Sequence, residues 1–233
     1  MGHLTRRFEL PDGKPVSGVI ALPAAPRAAT VLVLAHGAGN DMTSPLLVAL
    51  ADALAEAGFP TVRFNFPYKE RGGRAPDPAP VLEACYRAVL EQVRADPDLG
   101  GGRLVIGGKS MGGRMASHLA AAGEAVDGLL FLGYPLHPAG RPTQLRAAHL
   151  ERITVPMLFL AGTRDALCQL DLLRTALDRL PRATLHIVDD GDHSFAVRRR
   201  SGRDQAAVRE EIVQACLDWL RTAIGSVSSR TSG

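Results

Sequence analysis

The chain has 233 residues, 46% of them hydrophobic and 22% charged. This is the balance of one globular domain with a sizeable core, and it excludes a disordered, collagenous or disulfide-scaffold protein. Its 27 basic residues against 24 acidic leave a formal charge of only +3, too small and too dispersed to indicate a nucleic-acid partner.

The chain opens on two expected strands, Leu4 to Leu10 and Val16 to Leu22, split by the turn signal Pro11-Asp12-Gly13. Short aliphatic runs bounded by Gly, Pro or Asp then follow at Val31 to Ala35, Thr61 to Phe64, Leu104 to Ile106, Leu129 to Leu132, Met157 to Leu160 and Leu185 to Val188. These read as buried parallel strands. Between them, Pro45 to Ala57, Ala79 to Ala95, Gly112 to Ala122, Leu170 to Leu180 and Ala206 to Ile224 space their apolar residues three and four apart, as helices do when they cover a sheet. In the last of these Val208, Ile212, Cys216, Trp219 and Leu220 form one stripe, which assigns the single Trp to the core. The alternation predicts one α/β domain over residues 1–224, with a flexible Ser-rich tail at 225–233. The longest irregular stretches, Pro67 to Pro80 and Tyr134 to Ala148, each follow a strand, and open parallel sheets bind ligands at their strands' carboxyl ends.

Cys85, Cys168 and Cys216 are far apart and form no CxxC, which suggests free thiols in a reducing compartment. The N-terminal residues lack the apolar stretch of a signal peptide, and no apolar run is long enough to span a bilayer. A cytoplasmic protein with neither membrane nor nucleic-acid partner is expected.

After the strand ending at Ile106 comes Gly107-Gly108-Lys109-Ser110-Met111-Gly112-Gly113. It contains G-x-S-x-G, the pattern of a nucleophile held on an abrupt strand-to-helix turn where flanking side chains would collide with neighbouring backbone. Such a turn exposes the Ser110 hydroxyl at a helix N-terminus, which favours developing negative charge. Gly108-Lys109-Ser110 also spells the end of a phosphate-binding loop, but that loop needs a glycine where Arg103 stands.

A tetrahedral acyl intermediate needs two donors, assigned to the N–H groups of Met111 and Ala38. Ala38 lies in the small-residue stretch His36-Gly37-Ala38-Gly39. His36 reads as a brace for that loop. The base is expected after the last strand, in Asp189-Asp190-Gly191-Asp192-His193, where His193 is a side chain of the type suited to proton transfer. Its orienting acid is assigned to Asp165, directly after Met157 to Leu160, because no Asp or Glu occurs from Gly128 through Leu150. Asp189, Asp190 and Asp192 read as a solvated turn.

The order Ser110, Asp165, His193 resembles the α/β-hydrolase superfamily, over essentially the whole chain and most closely its small, nearly lidless dienelactone-hydrolase-like members. Leu34-Ala35-His36-Gly37-Ala38-Gly39, Phe64-Asn65-Phe66-Pro67-Tyr68 and Gly107 through Arg114 are similar to a branch of predicted hydrolases that includes a eukaryotic subunit of a histone-acetyltransferase regulatory complex. The resemblance implies an eight-stranded, mostly parallel sheet with helices on both faces, minimal lid and an acyl-transfer triad. Ser110 stands where true dienelactone hydrolases use cysteine.

The expected function is therefore hydrolysis of an ester or thioester of a small to medium, conceivably anionic, acyl substrate by a monomer or homodimer that needs no metal or organic cofactor. The alternatives are amide cleavage, or an interaction module with little turnover, which a large exposed apolar patch would favour. Lys109 could steer a substrate anion or brace a loop. Tyr68, Arg71 and Arg74 follow a strand and could overhang the pocket, or form an internally paired surface loop.

Overall fold

The computed structural model describes residues 1–24 and 28–225. The tail expected at 225–233 falls, beyond Gly225, outside the described residues. Eight strands form one sheet: β1 (Gly2–Phe8), β2 (Val16–Leu22), β3 (Thr30–Ala35), β4 (Thr61–Phe64), β5 (Arg103–Lys109), β6 (Gly128–Leu132), β7 (Met157–Gly162) and β8 (Ala183–Val188). Their order is β1-β2-β4-β3-β5-β6-β7-β8. β2 runs antiparallel to both β1 and β4, and every other pairing is parallel.

The helices are α1 (Pro45–Glu56), α2 (Pro67–Glu70), α3 (Ala79–Ala95), α4 (Met111–Ala121), α5 (Leu170–Leu177) and α6 (Gln205–Trp219), the last continued by a π turn at Leu220–Ile224. Side chains alternate across the central strands with a period of two. Val31, Val33, Ile106, Phe131 and Phe159 meet Leu82, Val89 and Met115 of α3 and α4. Leu32, Leu34, Val105, Leu130 and Leu158 meet Leu47, Leu50 and Leu54 of α1 and Ile212 and Trp219 of α6 on the opposite face. Burial of both faces is why these strands read as continuous apolar runs rather than alternating ones.

The first strand ends earlier than expected because Leu10 opens the turn, its carbonyl accepting from the Gly13 N–H at 2.8 Å. α5 likewise stops at Leu177, three residues short of the expected end. Two pieces of regular structure went unexpected inside the irregular stretches: α2, and a 3-10 turn at Ala148–Arg152. Between β6 and β7 this turn is the only regular element.

One polar group in the core fixes β5, the strand that leads to Ser110. The fully buried Tyr86 hydroxyl lies 2.7 Å from the Val33 carbonyl and 2.8 Å from that of Gly107, and it accepts the Gly107 N–H at 3.0 Å. Tyr86→Phe would strand buried backbone groups of β3 and β5, a loss of about 1–3 kcal/mol. For a domain of this size the expected Tm falls by roughly 2–12 °C, read by calorimetry.

Candidate active site

In-register pairing brings the carboxyl ends of the strands to one edge: Ala35 opposite Gly108, Leu132 opposite Lys109 and Leu160, and Val188 opposite Gly162. The loops carrying Ala38, Ser110, Asp165 and His193 therefore leave the sheet side by side. Ser110 has φ 50° and ψ −112°, a left-handed conformation that costs a non-glycine residue on the order of 1–3 kcal/mol. Its N–H donates to Leu132 (3.0 Å), and its carbonyl accepts from Arg114 N–H at 3.0 Å, so β6 and α4 hold the strained residue from both sides. A Cβ on Gly108 or Gly112 would run into the Ala35 carbonyl of β3, which is the steric reason for both glycines.

The Ser110 Oγ lies 2.8 Å from His193 Nε2. The other ring nitrogen, Nδ1, lies 2.9 and 2.8 Å from the two oxygens of Asp165. Because a carboxylate only accepts, Nδ1 carries the proton and Nε2 is left to accept from the Ser110 hydroxyl. The Asp165 side chain is 0% exposed and that of His193 25%, so the acid is sealed from water while the imidazole faces the opening. Asp165 Oδ1 also accepts the Leu167 N–H at 2.8 Å, which fixes the carboxylate's rotation.

In the turn carrying His193, Asp189 is exposed as expected and Asp192 is half-buried, but Asp190 departs from the expected solvated turn. Asp190 is buried, 5% exposed. It accepts from the Arg198 backbone N–H at 2.7 Å and from Arg198 Nε at 2.6 Å, with Arg164 beside it. Asp192 Oδ1 caps the Ser194 and Ala196 N–H groups, and Phe195 is buried at φ 62°. These carboxylates were assigned to solvent because their nearness in sequence to Arg198 says nothing about a chain reversal that turns a side chain inward. The Arg198 side chain and backbone donors hold the Asp190 carboxyl down at about 2, below its ordinary 3.8. Asp190 therefore stabilises the fold above pH 3.8, and that contribution is lost as pH falls toward 2. In thermal melts Asp190→Asn is expected to lower Tm at neutral pH, with the gap to wild type closing through that acid window.

On the other side of Ser110, a Cβ on Gly37 would sit 3.6 Å from the Ser110 Cβ, which places the His36–Asn40 loop against the nucleophile. Met111 is the first residue of α4 and Ala38 follows Gly37; among the described residues no backbone acceptor is seen for either N–H. His36 is fully buried and pushed down to about 4, chiefly by that burial. It is thus neutral, and it braces the loop as expected: Nδ1–H donates to the Gly37 carbonyl at 2.9 Å and Nε2 accepts the Phe66 N–H at 3.1 Å.

Lys109 is buried beside Phe195. It is 9% exposed, its Nζ lies 5.9 Å from the Phe195 ring centroid, and burial pulls it down to about 8 against the pull of Asp165 and Asp192. Tyr68 is buried edge-on against His36 at 5.8 Å. Arg71 is held by Asp77 at 2.5 Å and Arg74 is exposed on the same loop. Among the described residues no hydrogen bond or ion pair joins either arginine to Ser110, Asp165 or His193. The three cysteines are free and buried, and Trp219 lies in the core as expected.

A second Ser–His contact, Ser117 Oγ to His149 Nε2 at 2.7 Å, lies on α4 and the 3-10 turn. Ser117 is fully buried on a regular helix and its hydroxyl donates to the Arg114 carbonyl at 2.7 Å, so Oγ accepts from the ring. It lacks both the elbow and an acid on the other ring nitrogen.

A serine on a strained elbow, at the open edge of this sheet order, defines the class. The chain belongs to the alpha/beta hydrolase domain family, which it matches over residues 28–221. A lidless serine hydrolase from Xanthomonas campestris is similar in structure with 24% identity and a TM-score of 0.70, covering 94% of this chain and 95% of that one. A dienelactone hydrolase from Anabaena variabilis follows at 19% identity and TM-score 0.74, covering 95% and 98%. An esterase from Pyrococcus furiosus has 16% identity and TM-score 0.75, covering 96% and 92%. At these identities the likeness establishes the shared fold. A curated Mycobacterium tuberculosis relative that carries the name of a phosphoribosyl transferase is 26% identical over 208 residues, covering 88% of this chain. The chain spans 43% of that relative's length.

Proposed function

We propose that this chain is a serine hydrolase that cleaves a carboxylic ester or thioester through an acyl-enzyme on Ser110. The observation that carries the reading is the hydrogen-bonded series Ser110 Oγ, His193 Nε2 and Nδ1, Asp165, set at a positive-φ elbow. His193 takes the hydroxyl proton as Oγ attacks the acyl carbonyl, and the Met111 and Ala38 N–H groups receive the oxyanion. His193 then returns the proton to the leaving alcohol or thiol, the carbonyl re-forms, and the acyl group remains on Oγ. Water enters by the same general base and releases the acid. Asp165 keeps the ring in the productive tautomer and stabilises the imidazolium.

We further infer a cytoplasmic enzyme acting as a monomer or homodimer on a small to medium acyl substrate, with neither nucleic acid nor membrane as partner. Three unpaired buried thiols support the reducing compartment, and no described helix is long and apolar enough to cross a membrane. That the connection between β6 and β7 holds no regular element beyond the Ala148–Arg152 turn supports an open site. A panel of 4-nitrophenyl esters, acyl thioesters and anilides with matched acyl chains tests the reading. Turnover of esters or thioesters well above anilides, absent in Ser110→Ala, is expected; no turnover of any of them by folded wild-type protein would contradict it.

A further inference from the structure

Several arginines in the described residues pair with carboxylates, Arg71 with Asp77, Arg94 with Glu124, Arg198 with Asp190 and Arg203 with Glu211. Arg114, Arg146 and Arg152 do not, and they line one cleft of about 600 Å³ together with Leu145, Ala148 and His149. None of the three guanidinium groups has a hydrogen-bond or ion-pair partner among the described residues, and Arg114 Nε is buried without one. The carboxylates on the flanking elements are engaged elsewhere, Glu83 of α3 by His118 at 2.7 Å and Glu151 of the 3-10 turn by Arg179 at 3.4 Å. From Gly128 through Leu150 the chain carries no acid at all.

Arg114 and Arg146 are half-buried and Arg152 is exposed. Burial, and then the neighbouring Arg114, pulls the Arg146 guanidinium below its ordinary value. Unpaired arginine forks are matched by an oxyanion, which they grip through two parallel hydrogen bonds.

The cleft shares a helix, α4, with Ser110. Arg114 lies one helical turn beyond Ser110, about 6 Å along the α4 axis. Gly133, whose Cβ would lie 3.1 Å from the His193 carbonyl, is followed by Tyr134, whose hydroxyl donates to the Arg146 carbonyl at 2.8 Å. Gly133 and Tyr134 thus connect the loop beside His193 to the segment that carries Arg146. His149 does not supply charge: burial, then His118, Arg114 and Arg152, push it down to about 4. Its bond to Ser117 ties the 3-10 turn to α4.

We propose that this cleft is an anion subsite, receiving a carboxylate or phosphate at the far end of the acyl substrate whose scissile carbonyl rests on Ser110. The proposal rests on the serine-hydrolase reading and names its substrate class, an acidic acyl ester or thioester.

The test compares wild type, Arg146→Gln, Arg152→Gln and, as a control, Arg141→Gln, an exposed arginine of the same segment that does not line the cleft. Substrates are the 4-nitrophenyl half-ester of adipic acid, a matched ester ending in phosphonate, and neutral 4-nitrophenyl hexanoate. Wild type is expected to favour at least one anionic ester over the neutral one in kcat/KM by about tenfold or more, the preference shrinking with added salt. The preference falls about tenfold in Arg146→Gln and in Arg152→Gln, through KM, and persists in Arg141→Gln; which anionic ester is preferred separates carboxylate from phosphate. No preference in wild type, or one that survives both cleft variants, overturns the proposal. Calorimetric titration with adipate and inorganic phosphate keeps the two readings apart. If no ester is turned over, the hydrolase reading fails alone when an anion binds and the cleft variants abolish binding. If esters are turned over and neither anion binds or is preferred, the subsite fails alone.

Discussion

Ser110→Ala is expected to lower kcat on a 4-nitrophenyl ester by on the order of 10⁶, with the fold intact. The hydroxyl is the only group placed to attack, so its loss removes covalent catalysis and leaves only what the oxyanion donors supply, about 10³–10⁴ over water. Alanine fits because the Ser110 side chain caps no helix N–H: α4 begins without a side-chain cap bond. The β6 and α4 backbone bonds that hold the elbow also survive. Melts of the variant should overlay wild type within the few tenths of a kcal/mol that a surface substitution costs. His193→Ala added to Ser110→Ala should cost little more, since residues of a triad act as a unit and their losses do not add.

Asp165→Asn should lower kcat by about 10⁴, through the tautomer of His193. The carboxylate now accepts at two places, from His193 Nδ1 at 2.8 Å and from the Leu167 N–H at 2.8 Å. An asparagine can satisfy the Leu167 N–H only with its oxygen, which turns its NH₂ toward Nδ1. The ring must then carry its proton on Nε2, where it cannot accept from the Ser110 hydroxyl. The lesion is therefore one of proton placement: KM should change far less than kcat, and nitrogen NMR of the imidazole should report the switched tautomer. Asp190→Asn, three residues from His193, provides the contrast, with loss of Tm and retention of the tautomer.

The sheet and the triad were both legible in the chain for the same physical reason. A strand buried on both faces must be a short aliphatic run, and a nucleophile at its end must be flanked by glycine, so Val31 to Ala35 and Gly108 to Gly112 announce themselves. Asp165 followed by elimination, since the stretch after β6 holds no acid. What was not legible depends on chain reversals and side-chain direction. Asp190 was assigned to solvent, yet it is buried against Arg198. Lys109 sits next to Ser110 in sequence, but strand alternation sends it down against Phe195. Nothing in the spacing of Ala79 to Ala95 reveals that the Tyr86 hydroxyl inserts between β3 and β5. The basic cleft was missed similarly: Arg114, Arg146 and Arg152 are scattered among many arginines, and only the docking of the 3-10 turn on α4 gathers them. The one sequence signal was negative, the absence of acids from Gly128 through Leu150, which served to exclude a catalytic acid and equally leaves three arginines without partners.

The central claim is that Ser110, activated by His193, is a nucleophile. Reaction of the folded chain with a fluorophosphonate, followed by mass mapping, tests it most directly, because phosphonylation needs the same attack and the same oxyanion donors as acylation. The account predicts one adduct, on Ser110, abolished in Ser110→Ala and slowed in Asp165→Asn. Folded wild-type protein that carries no adduct on Ser110, or carries it on Ser117, would contradict it.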